Sequence, residues 1–415
     1  MRLAVVLLLT CCGRIGFDPR SGDAGGGGMG GDGSVGPPGS CNAVDRIADD
    51  FEDGVRAAIW GGSYTQPGTT LAETGGDLVI TLAPNAVAYA AYGTNHYYDL
   101  RNHRMFTDIA QLSGSVTGIE AYYDTNNNVR VFAGNNMLYA SQDIAGTYSN
   151  PANIPYDPVA QRFWALEEQN GQLMFEYSAD GVSFTTFAQI ADPFDFSLVV
   201  AQLFAGTVVA IPTPGAAKFA SFNGIATGAG GCPIDQLVDR FDDGVQGHEW
   251  ENSYANPCCS MTEASGVLQI DSDGTAGYAT RRSSAGYDLR NNRVSFAVAR
   301  PPTTSLQPGL VVAVDDSNYV ELYVLATTFD AMTMIAGTSN LMTAVPRDPF
   351  EIWGRIRETA GTMFLESSTD GVTWKTQYMF ATPFSVADVE VRLQAGLPAT
   401  TSQPDSVQFA DLNTQ

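Results

Sequence analysis

The chain has 415 residues, 44% of them hydrophobic, enough for two or three domains that each bury a core. Asp and Glu number 45 against 21 Lys and Arg, a net charge of −24. Nucleic acid and anionic lipid surfaces are therefore not expected partners, because no basic stripe is legible to offset the repulsion.

The first element is "MRLAVVLLLTCC": one Arg, a short apolar run, then Cys. That order is an export signal, and the run is far shorter than the roughly 20 apolar residues a bilayer span needs. "LTCC" resembles the lipobox of bacterial lipoproteins. Cys12, with Gly13 behind it, fits best as the lipidated residue, and Cys11 is the alternative. Residues 1–11 then form the signal peptide and residues 12–44 a tether. "SGDAGGGGMGGDGSVGPPGS" has no apolar periodicity, and 27 residues of such chain reach roughly 30 Å on average. The expected address is the outer membrane or cell surface of a Gram-negative bacterium, with the lipid as anchor.

Two copies of one long pattern follow. "DDFEDGVRAAIW" from Asp49 is answered by "DRFDDGVQGHEW" from Asp239, and "GGDLVITL" by "SGVLQIDS". "YDLRNHR" at Tyr98 returns as "YDLRNNR" at Tyr287. "GIEAYYDTNNNVRVF" at Gly118 matches "GLVVAVDDSNYVELY" at Gly309. "GQLMFEYSADGVSF" at Gly171 matches "GTMFLESSTDGVTW" at Gly361, and "FASF" matches "FADL". A period near 190 residues is a whole domain rather than a solenoid repeat. The copies occupy residues 45–225 and 235–415, with a small-residue linker at 226–234. Within each, short runs alternate apolar and polar residues between turn signals such as "DTNNN", "SADG" and "STDG". This is strand and hairpin writing, and the fold class is all-β, two tandem two-sheet sandwiches after a disordered tether. In "YDLRN", Asp99 with Arg101 and Asp288 with Arg290 are expected to form structural ion pairs. The asparagines that follow loosen the chain before the next strand.

The stretches "DDFEDG…W", "YDLRN", "DDSNYVELY", "RIRETAGTMFLESSTDGVTW" and "VQFADL" resemble concanavalin A-like (laminin G-like) jelly-roll domains. The resemblance covers both copies, and the S-x-D-G-V-x-W hairpin is its most specific part. It implies a curved sandwich with a face that often holds sugars.

Four cysteines remain beyond the lipobox: Cys41, Cys232, Cys258 and Cys259. Export permits disulfides, and Cys232 with Cys258 or Cys259 is the expected staple within the second copy, leaving Cys41 to find the other neighbour. The three histidines are not spaced as a ligand pair, "DTNNN" lacks the later positions of a calcium loop, and no cofactor is expected. Calcium in other loops is left open without a motif. No G-x-S-x-G, H-E-x-x-H or P-loop occurs; glycosidases on such a fold carry closely spaced acids along one strand, whereas the acids of "ALEEQNG" and "HEWEN" each lie at a turn or in only one copy. The expectation is a non-enzyme that binds glycan or another surface polymer, with a structural or adhesion module as the alternative. Alternation nominates the outward residues Arg130, Phe132, Trp164 and Glu176 in the first copy. In the second it nominates Glu321, Tyr323, Trp353, Arg355 and Glu366. Aromatic platforms beside fixed polar groups are what a sugar site requires.

Overall fold

The computed structural model describes residues 43–224, 232–250, 253–303, 305–401 and 403–414. Cys12, Cys41 and the glycine-rich segment lie outside them. The described residues divide into two compact units, 43–224 and 232–414.

Each unit is an antiparallel β-sandwich of the jelly-roll kind. In the first, the front sheet runs Tyr64–Thr65, Tyr89–Gly93, Val200–Gly206, Val116–Asp124, Asn127–Gly134, Met137–Ile144, Thr147–Pro155. The back sheet runs Thr185–Ala191, Gln172–Ser178, Phe163–Glu168, Arg104–Gln111, Ala216–Phe222, Asp77–Thr81, Thr70–Thr74. The second unit repeats the order. Its front sheet is Tyr254–Ala255, Gly277–Arg282, Glu390–Leu397, Gln307–Asp315, Asn318–Val324, Thr328–Ile335, Thr338–Leu341. Its back sheet is Cys259–Ala264, Val267–Ser272, Asp405–Leu412, Arg293–Arg300, Trp353–Thr359, Thr362–Ser368, Lys375–Ala381.

Turn chemistry fixes these strands. Asp124 accepts from the Asn126 amide at 2.7 Å and closes the "DTNNN" hairpin; Asp315 does the same for Ser317. In "SADG" the Asp180 carboxylate accepts from the amides of Val182 and Ser183, which hold its pKa below the usual carboxylate range. Asp370 repeats the turn in "STDG" and is pulled down to about 2 by the amides of Thr373 and Val372. In "YDLRN", Arg101 grips Asp99 with two nitrogens at 3.0 and 2.8 Å, and Arg290 grips Asp288 likewise. Asn102 and Asn291 then take left-handed backbone, φ 57° and 50°, a conformation Asn tolerates.

The motif that opens each copy plugs one end of its core. Trp60 is fully buried and donates its indole N–H to Asp49 at 2.6 Å; Trp250 makes the same bond to Asp239. Phe51, Tyr92 and Phe222 crowd the Trp60 ring, with centroids 4.9 to 6.4 Å away. The inner faces of both sheets complete this core with Ile80, Ile119, Val131, Leu166, Phe175 and Leu203.

The expected Cys232 staple is corrected here. Cys258 and Cys259 bond each other, adjacent in sequence, at the turn that enters the Cys259–Ala264 strand. Cys232 is disulfide-bonded too, but to neither of them.

Candidate functional site

The outward face of the first unit's front sheet carries two cross-strand rows. Gly93, Gln202, Glu120, Arg130 and Ser141 face one another in register, forming a polar row. Beside it run Ala91, Phe204, Gly118, Phe132 and Tyr139, an aromatic row. Gly118 has no side chain for a reason: a Cβ there would stand 2.5 Å from the Phe204 ring and 2.8 Å from Phe132. The Phe204 ring and the base of the Phe132 side chain take up the space above it. Phe132 stacks on Tyr139 with centroids 4.9 Å apart, and Tyr89 stacks on Phe204 at 5.9 Å.

A cavity of about 470 Å³ lies over this face. Tyr89, Phe132, Phe204 and Tyr148 supply its apolar walls, and Glu120, Asn128, Arg130 and Asp143 its polar floor. Arg130 organises that floor. Its guanidinium donates to Glu120 at 3.0 Å, to Asp143 at 2.6 Å and to Asn128. Glu120 is 1% exposed, so its charge is held by this pairing rather than by water. Fixed donors and acceptors next to aromatic walls suit a ligand that offers both hydroxyls and apolar ring faces.

The equivalent face of the second unit is built differently. Glu321 stands where the first copy has Arg130, and Val311 where it has Glu120. Tyr323 donates to Glu321 at 2.6 Å and Gln394 donates at 2.5 Å. Burial dominates there and pushes the Glu321 carboxyl up to about 7. Alongside, Glu390 accepts from both Arg282 and Arg392, and Arg392 reaches Asp316 at 2.8 Å. These polar groups are tied to one another.

The nine nominated residues therefore do not form one site. Arg130, Phe132, Glu321 and Tyr323 point outward from the front sheets. Glu176, Trp353, Arg355 and Glu366 point outward from the back sheets, on the other side of each sandwich. Trp353 is only 7% exposed. Trp164 is corrected outright: it is fully buried in the core, donating to the Gln161 carbonyl at 2.8 Å. The residue that matches Trp353 is Phe163, since each faces the serine of its own turn, Ser368 and Ser178. A one-residue slip reverses the face in a strand, and that is the size of the error.

Residues missed from sequence include Glu120, Gln202, Phe204, Tyr89 and Tyr148. Alternation in "GIEAYYD" was signal enough for Glu120, since Ile119 and Ala121 are both buried inward. Tyr89 and Tyr148 come from strands far apart in sequence, and only the sheet order joins them.

No protein-family model matches the chain, and no curated protein matches it. Among solved structures, it is similar to a prokaryotic β-1,3-1,4-glucanase (lichenase) from a mouse hindgut metagenome at 10% identity. That match covers 42% of this chain and 96% of that one, with a TM-score of 0.32. A laminarinase from Flavobacterium sp. UMI-01 matches at 9% identity over 42% and 97%, TM-score 0.34. A xylan β-1,4-xylosidase from Bacillus halodurans C-125 matches at 14% identity over 83% and 75%, TM-score 0.36. Likenesses this distant assign neither activity nor ligand, and the site is argued from its own residues.

Proposed function

We propose that this protein is a non-catalytic glycan-binding protein of the bacterial surface, with its site in the front groove of the first unit. The observation that carries the reading is the pairing of Tyr89, Phe132 and Phe204 with the Arg130 network around one cavity. Sugar rings stack their apolar faces on such walls, and their hydroxyls exchange hydrogen bonds with such a floor. The non-catalytic part rests on the carboxylates. Glu120 and Asp143, which line the groove, both accept from Arg130. A glycosidase needs one carboxyl free to give a proton and a second free to attack or to activate water.

The test is affinity electrophoresis of the chain through neutral polysaccharides, with Tyr89→Ala as the variant. Tyr89 is half-buried and packs with Phe132 and Phe204 on the outward face, outside the main core, so its loss leaves that core intact. Losing one platform removes about 1 kcal/mol, which predicts binding weaker by roughly fivefold with the melting temperature unchanged. A wild type retarded by no polysaccharide removes the reading and leaves a structural or adhesion module. The self-paired front face of the second unit, with Arg282, Arg392, Glu390 and Asp316 joined, favours that role for the second copy.

The surface address is part of the same proposal and rests on "LTCC" followed by a polar leash. Cys12→Ser is expected to abolish incorporation of labelled palmitate and to release the chain from the membrane fraction. Retention of the label by that variant would move the lipid to Cys11, and a wild type that takes up no label would dismiss the anchor.

A further inference from the structure

We infer that the back sheet of the second unit carries a separate site for an acidic polysaccharide, one bearing carboxylate or sulfate groups at intervals. This rests on the glycan reading for the kind of polymer; the site itself is argued from charge. Arg293, Arg355 and Arg357 project from two neighbouring strands onto one outward face, with Arg293 directly opposite Arg357 in the register. Arg355 and Arg357 share a single counter-ion, Glu366. Arg355 reaches Glu366 Oε2 at 2.7 Å, and Arg357 reaches both of its oxygens at 3.1 and 3.0 Å. Thr376 adds a hydroxyl to Glu366 Oε1 at 3.2 Å.

Each guanidinium lies on a ring. Arg355 sits 4.1 Å from the Trp374 centroid and Arg357 4.0 Å from that of Phe364. The rings cover one face of each guanidinium and leave Arg355 12% and Arg357 27% exposed; each Arg has five N–H donors, more than Glu366 and, for Arg357, Thr359 take up. Arg293 is exposed, and its side chain makes no hydrogen bond or ion pair among the described residues. Three cations against one anion leave a local surplus of two charges in a chain whose net charge is −24. Asp411 is the next acid on this face, one strand away opposite Ala297, and it accepts from Thr414.

The first copy shows that the sheet does not need this arrangement. Arg104 stands in the place of Arg293, Ala165 in that of Arg355 and Glu167 in that of Arg357. There, one arginine serves two carboxylates, Glu167 and Glu176. The same corner of the fold thus carries one surplus negative charge in one copy and two surplus positive charges in the other. Ion pairing for stability would not require the unbalanced version.

Charge density selects the partner. A surplus of two on a strongly acidic molecule is too small to hold a duplex or an anionic membrane, whose dense charges would meet the rest of the surface. It matches a polymer with spaced single anions. Arginines on facing strands stand about 5 Å apart at the backbone, and guanidinium forks grip carboxylate or sulfate oxygens in pairs.

The experiment uses the full chain in affinity electrophoresis at low salt. The probes are polygalacturonate, its fully methyl-esterified form and dextran sulfate. Retardation is expected by polygalacturonate, dextran sulfate or both, which separates carboxylate from sulfate. It is expected to vanish with the esterified polymer and to weaken at least tenfold in high salt. Arg293→Gln, at an exposed position, is expected to weaken polyanion binding about fivefold and to leave neutral-polysaccharide binding as it was. Tyr89→Ala is expected to do the reverse, so failure of this site and failure of the front groove are told apart. No retardation by either polyanion, or retardation indifferent to both Arg293→Gln and Arg293→Glu, overturns the inference.

Discussion

Glu321 is a side chain whose ionisation reads out the fold. It is 1% exposed, with hydroxyl and amide donors from Tyr323 and Gln394, and burial still holds its carboxyl up at about 7. In the unfolded chain the same group titrates near 4.5. Between those values the folded state binds more protons than the unfolded one, so this residue's contribution to stability is full below about pH 4.5. It is lost as the pH rises to about 7, and flat above. Glu321→Gln keeps the shape and removes the titration. The expected result is that the variant gains in melting temperature relative to wild type as the buffer moves from about pH 5 to about pH 8. A gap that stays constant over that range would show that Glu321 is ionised throughout. At this scale the sequence was legible where partners are close along the chain. Asp99 with Arg101 and Asp288 with Arg290 pair two residues apart, as their spacing implied. It was not legible for Glu321, whose state depends on Gln394, 73 residues away.

Strands were read well because the turns that separate them are local chemistry. An aspartate, an asparagine or a glycine marks each hairpin, and burial then enforces alternation over a few residues. What alternation does not report is which sheet a strand joins. Tyr323 and Trp353 both point outward, yet from opposite sides of one sandwich. The long connections of the jelly roll decide that, by placing Val200–Gly206 between Tyr89–Gly93 and Val116–Asp124. The arginine face was hidden for the same reason. Arg293 lies on a different strand from Arg355 and Arg357, so a search for a basic run along the chain finds nothing. The copies also drift in place. Tyr92, which donates to Glu73 in the first unit, is replaced in the second by Arg281, buried at 3% exposure and 2.7 Å from Glu263. An element can keep its register while its charge is rewritten. The disulfide escaped because adjacent cysteines look like competitors for a distant partner, whereas the turn brings Cys258 and Cys259 to each other.

At the scale of the molecule, the duplication was the most legible feature, because it is written in landmarks rather than in propensities. Its physical consequence is separability. Among the described residues, every strand of the second unit pairs with strands of the same unit, and Phe241, Trp250, Phe296 and Phe409 are buried within it. A sandwich of this size, with both sheets complete, buries enough apolar area to fold by itself. The fragment from Ile234 to Gln415 is therefore expected to give one cooperative thermal transition. It keeps Cys258 and Cys259, whose bond closes no long loop, so reduction is expected to shift that transition by only a few degrees. It also keeps Arg293, Arg355 and Arg357, and with them the surplus positive charge, while leaving the first unit's groove behind. A broad, non-cooperative melt would show that the second sandwich borrows part of its stability from the rest of the chain. A sharp one would license measuring each face on its own domain.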